Sequence, residues 1–219
     1  MGEQSTDITV TPAGAGKLNK SSKVLAVRSA RDTQADYVPH LTLDQVKHLV
    51  DTIPKERDRL LIQTLFDGCL RCSEAIGIRP ADMESTAAGW QVGILGKGGK
   101  RSTVAISATL AAKLQSYCYR HDIKPADRIF CISRSRVFQI VKEAMTRAGI
   151  VAPSRARDRV GCVHSLRHSG AIERLRQTGN PRSVQEQLRH KSAGMTLRYL
   201  KTISHDESLA IQQDVDMRW

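Results

Sequence analysis

No stretch of this 219-residue sequence is long and apolar enough to cross a membrane. Its beginning carries Glu3 and Asp7 without an apolar run, so we expect no signal peptide and predict a cytoplasmic protein. The five cysteines are an odd number, and Cys69 and Cys72 have no second close pair that would complete a zinc site. We therefore expect buried free thiols in a reducing compartment and predict no metal site.

Acidic residues are also in short supply. The sequence has 34 Lys and Arg against 22 Asp and Glu, which gives a formal net charge of +12. A protein this basic attracts polyanions, and nucleic acid is the commonest of them; the alternative is a basic surface without such a partner. The apolar share of 40% and the charged share of 26% are typical of a globular protein with a core of its own.

Residues 1–36 differ in composition from the rest of the chain. They are rich in Gly, Ser, Thr and Ala, and the stretch from Lys17 to Arg31 is basic without any acid. We interpret them as a flexible basic arm, which either follows a nucleic-acid backbone or is only a disordered tail. Residues 37–219 are predicted to form the folded domain.

Apolar periodicity and capping signals predict a mainly helical domain. Thr42 and Gln45 form a capping box ahead of a helix whose apolar face carries Val46, Leu49 and Val50. Asn180 and Pro181 are a second start signal. Helices are predicted at about 43–53, 55–67, 69–79, 107–117, 135–148, 164–179, 181–190, 192–200 and 206–215, with a basic loop over 151–161.

One β-hairpin interrupts the helices. Trp90, Val92 and Ile94 alternate with other residues, as do Val104 and Ile106, on either side of the turn Gly-Lys-Gly-Gly-Lys at residues 96–100. The turn lacks the spacing and the Ser or Thr of a nucleotide-binding P-loop. The predicted fold class is therefore mainly α with a small antiparallel sheet (α+β).

Two arginines are suited to hold one phosphate. Arg71 is predicted at the start of a short helix, and Arg167 in the first turn of the helix that begins near His164. Arginine's planar fork binds two phosphate oxygens at once, and helix N-termini favour anions. Because a phosphate under attack gains negative charge, fixed cations would stabilise the transition state of phosphodiester cleavage. Taken alone, each arginine is more often a solvated surface charge.

Tyr199 is the candidate nucleophile. A phenol has a pKa of about 10, and we expect nearby arginines to favour the phenolate. Lys97 at the hairpin tip could protonate the leaving 5′ oxygen. His164, on the same helical face as Arg167, could serve proton transfer or phosphate contact, and His190 could donate to a phosphate oxygen. A lone histidine is more often structural or exposed.

The order of these residues resembles the phage-integrase-type tyrosine recombinases over about residues 40 to 205. The first box of that family, G-L-R-x-S-E, is matched at residues 69–74, and its lysine-bearing turn at residues 96–100. H-x-L-R-H is matched at residues 164–168. L-G-H is matched by Leu188, Arg189 and His190, and Tyr199 follows His190 by nine residues, as the nucleophile of that family does. Four boxes in order are far more specific than any one of them.

The resemblance implies the tyrosine recombinase catalytic-domain fold and a reaction that cuts and rejoins duplex DNA at specific sites. The intermediate would be a 3′-phosphotyrosyl bond, formed without a metal or other cofactor. The implied catalytic residues are Arg71, Lys97, His164, Arg167, His190 and Tyr199, supported by Glu74. We expect further DNA contacts from Lys100, Arg101, Arg155, Arg157, His168 and Arg189.

The same resemblance implies partners. Duplex DNA would be bound by four protomers, and the free chain would be a monomer associated with the nucleoid, with an accessory recombinase or DNA-bending protein as a further partner. Enzymes resembling type IB topoisomerases or telomere resolvases share this chemistry, although the spacing of the last boxes favours a recombinase. Two rival hypotheses are a non-catalytic DNA-binding protein of the same fold and an RNA-binding protein.

The sequence departs from the family pattern in three places. Cys69 and Arg189 each stand where the family has glycine, and Arg189 would either add a DNA contact or lie outside the site. Typical members also carry an N-terminal helical domain of about a hundred residues. Fewer than 40 residues precede the catalytic region here, which fits either a minimal enzyme or a fragment.

Overall fold

The computed structural model describes residues 38–96, 99–151, 161–190, 192–203 and 207. These residues form eight α-helices and one three-stranded antiparallel sheet, so the predicted fold class is confirmed. The elements are α1 (Leu43–Asp51), α2 (Glu56–Asp67), α3 (Cys72–Ala75), β1 (Met83–Thr86), β2 (Gly89–Leu95), β3 (Arg101–Ala105), α4 (Ala108–Arg120), α5 (Arg134–Arg147), α6 (Gly161–Thr178), α7 (Pro181–Leu188) and α8 (Ala193–Thr202).

Side-chain caps fix where several helices begin. Thr42 accepts from the Gln45 N–H at 3.2 Å while the Gln45 side chain accepts from the Thr42 N–H at 2.9 Å, which confirms the predicted capping box of α1. Asn180 Oδ1 accepts from the N–H groups of Arg182 and Ser183, so α7 begins where the sequence predicted. These caps satisfy backbone donors that a helix start otherwise leaves without partners.

The sheet contains the predicted hairpin and one strand more. β2 pairs with β3, with Val92 opposite Val104, and β1 extends the sheet on the other side of β2. β1 escaped prediction because it has four residues and none is buried, so it lacks an apolar alternation. The helix predicted over 69–79 is shorter than expected. α3 already ends at Ala75, and Pro80 begins a 3-10 turn that leads into β1.

Two clusters of buried residues hold the domain together. The first, here the main core, joins α1 to α5, the sheet and the start of α6. The second, here the site cluster, lies between α6, α7 and α8 and comprises Val38, Cys69, Ala171, Ile172, Leu175, Val184, Leu188 and Tyr199. The candidate nucleophile is therefore part of a packed apolar cluster.

A close approach between α2 and α6 brings the two clusters together. A Cβ atom on Gly170 would lie 1.9 Å from the carbonyl oxygen of Phe66, so only glycine allows this packing. Ser169 next to it accepts from the Leu41 N–H at 2.7 Å. α6 is thereby held against the end of α2, immediately before the segment that carries Arg71.

Several predictions lie outside the described residues. They concern the basic arm over 1–36, most of the basic loop over 151–161, and most of the helix predicted over 206–215. Within the part of the chain that the structure describes, no helix has the length and apolar character needed to cross a membrane. Cys69 and Cys72 are buried free thiols, as expected.

Candidate active site

The residues of three predicted boxes meet in one cleft of about 200 Å³ beside α6 and α8. Arg71 comes from the start of α3, His164, Arg167 and His168 from α6, His190 from the segment after α7, and Tyr199 from α8. The cleft is lined by Val38, Pro39, Arg71, His164, Arg167, His168, His190, Met195, Arg198 and Tyr199.

Arg71 is an exposed cation of the cleft. It is the N-cap residue of α3, as predicted, and its side chain is 45% exposed. Its Nη1 donates to Glu74 Oε1 at 2.7 Å, and its backbone N–H donates to Glu74 Oε2 at 2.8 Å. Glu74, only 2% exposed, therefore fixes both the backbone and the guanidinium of Arg71. A guanidinium held in this way faces the cleft ready to bind an anion.

Arg167 is buried, with a side chain only 2% exposed. Its guanidinium donates to the carbonyl oxygens of Cys69 and Leu188, and Glu74 Oε2 lies 3.7 Å from its Nη1. Burial, followed by the charge of Arg71, lowers the pKa of Arg167 to about 10, so it remains a cation at neutral pH. Arg167 was predicted in the first turn of its helix, which is wrong because α6 already begins at Gly161. Its guanidinium is therefore held by the two carbonyls and not by the helix terminus.

Tyr199 is 3% exposed and its hydroxyl lies 2.8 Å from Nδ1 of His168. Burial raises the pKa of Tyr199 to about 12 and outweighs the opposing charges of Arg167 and Arg71. The arginines do favour the phenolate, as expected, but burial has the larger effect on this pKa. Tyr199 is a neutral phenol here, and its proton must leave before or during any attack on a phosphate.

Three histidines surround the phenol. The ring of His190 stacks on that of Tyr199 with centroids 6.0 Å apart, and its Nδ1 lies 3.1 Å from the Thr196 hydroxyl. His164 meets His168 edge-on at 5.0 Å. Burial, with the neighbouring cationic groups, lowers the pKa of His190 to about 4 and that of His168 to about 3. Both rings are neutral at pH 7 in this structure.

Both residues that replace family glycines adopt the left-handed conformation. Cys69 has a φ of 49° and Arg189 a φ of 56°, a region that glycine occupies without strain. The backbone thus retains the geometry that glycine favours, and the side chains are additions to it. Arg189 does not lie outside the site, because its Nη2 donates to Glu74 Oε2 at 2.6 Å and its side chain is only 16% exposed.

Two residues of the site region escaped the motif analysis. Gln187 is buried and bonds both the N–H and the carbonyl of Ala105, at 3.0 and 2.8 Å, and the Gly68 carbonyl at 3.1 Å. It ties α7 to the end of the hairpin and to the end of α2. Arg198 is exposed and lines the cleft beside Tyr199. Arg198 could have been identified because it directly precedes the candidate nucleophile Tyr199. No sequence signal marks Gln187.

The remaining predicted site residues are away from the cleft or outside the described residues. Lys97, Arg155 and Arg157 belong to the second group, so their roles stay predictions. Lys100 and Arg101 are exposed where the hairpin turn enters β3. The observed partner of His168 is Tyr199 and that of Arg189 is Glu74, so a DNA contact from either stays a prediction.

One larger groove of the surface differs from this cleft in the residues that line it. This groove of about 430 Å³ lies between α1, α2 and α4, and no arginine, histidine or tyrosine is among the described residues that line it. Within the described ranges, no three His, Cys, Asp or Glu side chains are grouped as metal ligands.

A helical domain with a small sheet and a cleft lined by three arginines, three histidines and a buried tyrosine matches the class of protein that the motifs predicted. The model of the phage integrase family matches residues 39–205. The chain belongs to the phage integrase family.

Relatives and solved structures agree with this assignment. Tyrosine recombinase XerA of Pyrococcus furiosus is 32% identical over 190 residues, which cover 79% of this chain and 60% of that protein. The catalytic domain of bacteriophage HP1 integrase superposes with a TM-score of 0.59 at 24% identity, covering 79% of this chain and 94% of that one. XerH recombinase bound to difH substrate gives a TM-score of 0.63 at 22% identity, with 75% and 50% covered. This chain thus spans less than two thirds of the curated relative's length.

Proposed function

We propose that this chain is a site-specific DNA recombinase that cuts and rejoins duplex DNA through a covalent bond between Tyr199 and a 3′ phosphate. The observation that supports the proposal most is the single cleft in which Tyr199 lies beside Arg71, Arg167, His164 and His190. The family assignment and the recombinase relatives support the same activity. A solved structure of the related fold, XerH, is described as bound to its difH substrate.

In the proposed reaction the scissile phosphate enters the cleft at the exposed guanidinium of Arg71. Arg167 lies deeper, and its position is fixed by two backbone carbonyls and Glu74. A cation that needs no rearrangement stabilises the charge that develops on the phosphate oxygens more effectively than solvent does. The His190 ring, fixed by Thr196, donates a further hydrogen bond to the same phosphate.

The Tyr199 oxygen attacks phosphorus, the bond to the 5′ oxygen breaks, and a phosphotyrosyl bond forms. The phenol proton leaves through the hydrogen bond to the His168 nitrogen, 2.8 Å away, and passes on to solvent, because the lowered pKa of that ring keeps it from retaining the proton. Lys97 supplies a proton to the departing 5′ oxygen, in the role that the family resemblance implies. Resealing is the reverse of these steps, so no external energy source is consumed.

A suicide DNA substrate, which loses the 5′ end after cleavage, tests the activity directly. The wild-type chain should accumulate a covalent adduct, and Tyr199→Phe should form none while retaining its fold and its affinity for DNA. Tyr119→Phe is the matched control, because Tyr119 is 89% exposed on α4 and far from the motifs. Peptide mapping of an adduct to any residue other than Tyr199 would overturn the proposal.

The role of Lys97 has its own test. Lys97→Ala should cleave ordinary DNA slowly, because the 5′ oxygen then leaves without a proton. A substrate with sulfur in the 5′-bridging position leaves without protonation and should recover most of the lost rate. Absence of rescue would assign the general acid to another residue, with His164 as the first candidate.

We also propose that the free chain is a monomer and that four protomers assemble on DNA. The support is the family assignment together with the net charge of +12, which favours binding to DNA before assembly. An accessory recombinase or DNA-bending protein, and association with the nucleoid, are further proposals. Sedimentation of the chain with and without duplex DNA tests the assembly, and a tetramer without DNA would contradict it.

A further inference from the structure

We propose that Arg189 is a positioning residue of the phosphate-binding site, which acts through Glu74 and adds one positive charge to the cluster. The inference rests on the proposed function, because it concerns the rate of the same DNA cleavage. It starts from a residue that the family pattern does not contain, since that pattern has glycine at the corresponding position. The side chain of Arg189 is therefore an addition in this chain.

The backbone of Arg189 is arranged as glycine would be. Arg189 caps the C-terminus of α7 with φ 56° and ψ 42°, and its N–H bonds the Gln185 and Glu186 carbonyls. An L-residue other than glycine is strained in this region. A charged side chain at a strained position that turns inwards rather than into solvent needs a partner that holds it there.

The charged partner is Glu74, and Nη1 of Arg189 also donates to the Gln187 carbonyl at 3.2 Å. Nη2 of Arg189 lies 2.6 Å from Glu74 Oε2, while Glu74 Oε1 accepts from Arg71 at 2.7 Å. The two oxygens of one buried carboxylate are thus held by arginines from α3 and from the end of α7, and Arg167 approaches at 3.7 Å. Arg189 thereby restrains the carboxylate that fixes the guanidinium of Arg71.

The charge of the cluster follows from these contacts. Arg71, Arg167 and Arg189 contribute three positive charges and Glu74 one negative charge, so the formal sum is +2. Glycine at position 189 would leave +1. Because the cluster lies mostly out of solvent, the additional charge is weakly screened and favours the phosphate most when its own negative charge is largest.

A positioning role has two rivals, a plain structural ion pair and a direct contact with DNA. A structural ion pair would change thermal stability and leave the cleavage rate of the folded protein unchanged. A direct DNA contact would change the dissociation constant for DNA as much as the rate. A role through Glu74 predicts a slower reaction at saturating DNA with little change in affinity.

The experiment compares Arg189→Gln with wild type in single-turnover cleavage of a suicide substrate at saturating DNA. We expect the rate to fall about tenfold, less than for a donor that touches the phosphate, with DNA affinity within about twofold. Arg189→Lys, which keeps the charge, should recover part of the rate. Arg182→Gln is the matched control, because Arg182 lies on α7 with a side chain 85% exposed and should leave the rate unchanged.

A double-mutant cycle with Glu74→Gln tests the route. If Arg189 acts through Glu74, Arg189→Gln should have little further effect in the Glu74→Gln background. Should Arg189→Gln fail to fold, Arg189→Gly replaces it, since glycine suits the observed backbone. Wild-type rates in the folded variant, or equal losses of rate and affinity, would each overturn the inference, and additive effects in the cycle would overturn the route through Glu74. A wild-type chain that forms no adduct would instead overturn the proposed function.

Discussion

The main core and the site cluster bury different kinds of side chain. The main core is apolar along faces of amphipathic helices, with Leu49, Leu61 and Leu114 fully buried. Around the site cluster the chain also buries Glu74, Arg167, Gln187 and Thr196, each with a defined polar partner. Apolar packing tolerates small changes in shape, whereas a buried charge is stable only while its partners keep their places.

This difference separates stability from activity in the molecule. The main core fixes α2 and the sheet, and the chain that follows α2 leads to Arg71 at the start of α3. The site cluster includes Tyr199 and packs α6, α7 and α8 against one another beside the cleft. We therefore expect substitutions in the main core to alter stability, and substitutions at the site to alter cleavage of the folded protein.

The largest expected effect is on stability, from Leu114→Ala. Leu114 is fully buried in α4, and the lost burial together with the cavity should reduce the free energy of unfolding by about 2–5 kcal/mol. Chemical denaturation measures the change, with Tyr119→Ala on the exposed side of α4 as the control. Cleavage by the fraction that remains folded should be unchanged, and a specific loss of rate would contradict the separation.

Arg71→Ala should have a large effect on the cleavage rate and a small effect on stability, the reverse of Leu114→Ala. Loss of one preorganised donor should slow cleavage about a hundredfold, while the unfolding free energy falls by about 1 kcal/mol because the side chain is half-exposed. Single-turnover cleavage and DNA titration are the measurements. Arg136→Ala, which removes an exposed ion pair with Glu143 on α5, is the control. Equal losses of affinity and rate would make Arg71 an ordinary phosphate anchor.

The histidines give the site cluster a dependence on pH. The pKa of His190 is lowered to about 4 by burial and by nearby arginines, whereas an unfolded histidine has a pKa of about 6.5. Between these values the unfolded chain binds a proton that the folded chain does not, so stability is complete above about pH 6.5 and declines as the pH falls towards 4. His190→Gln should show a smaller decline in denaturation curves at pH 7 and pH 4.5. Equal declines in both proteins would contradict the assignment.

Much of the fold could be predicted because it depends on local signals. The capping box of α1, the Asn180 cap of α7 and the alternation in the hairpin are each contained within a few residues. β1 could not be predicted, since it is exposed and is defined by its pairing with β2. The register of that pairing depends on tertiary contacts and leaves no periodic pattern in the sequence.

The motifs identified the residues of the cleft but neither their pKa values nor the direction of every side chain. Arg71, Arg167, His164, His190 and Tyr199 do meet, because each lies at a fixed place on a helix or its end. The raised pKa of Tyr199 could not be anticipated, because it depends on burial by residues from α6, α7 and the chain before α1. The inward direction of Arg189 likewise follows from the left-handed backbone, which the sequence alone does not reveal.

The smallest expected effects come from the loss of two helix caps, one in each region. Thr42 caps α1 in the main core and Asn180 caps α7, whose far end leads to Arg189 and His190. Replacement of either by alanine removes a side-chain acceptor at a helix start and should reduce the free energy of unfolding by about 1 kcal/mol. Only Asn180→Ala should also slow cleavage, by less than about tenfold, because fraying of α7 loosens the segment that places His190 over Tyr199. Denaturation curves and single-turnover cleavage of the two variants measure both quantities under the same conditions. Equal cleavage rates for the two variants would mean that Gln187, through its bonds to Ala105 and Gly68, holds the end of α7 without help from its start.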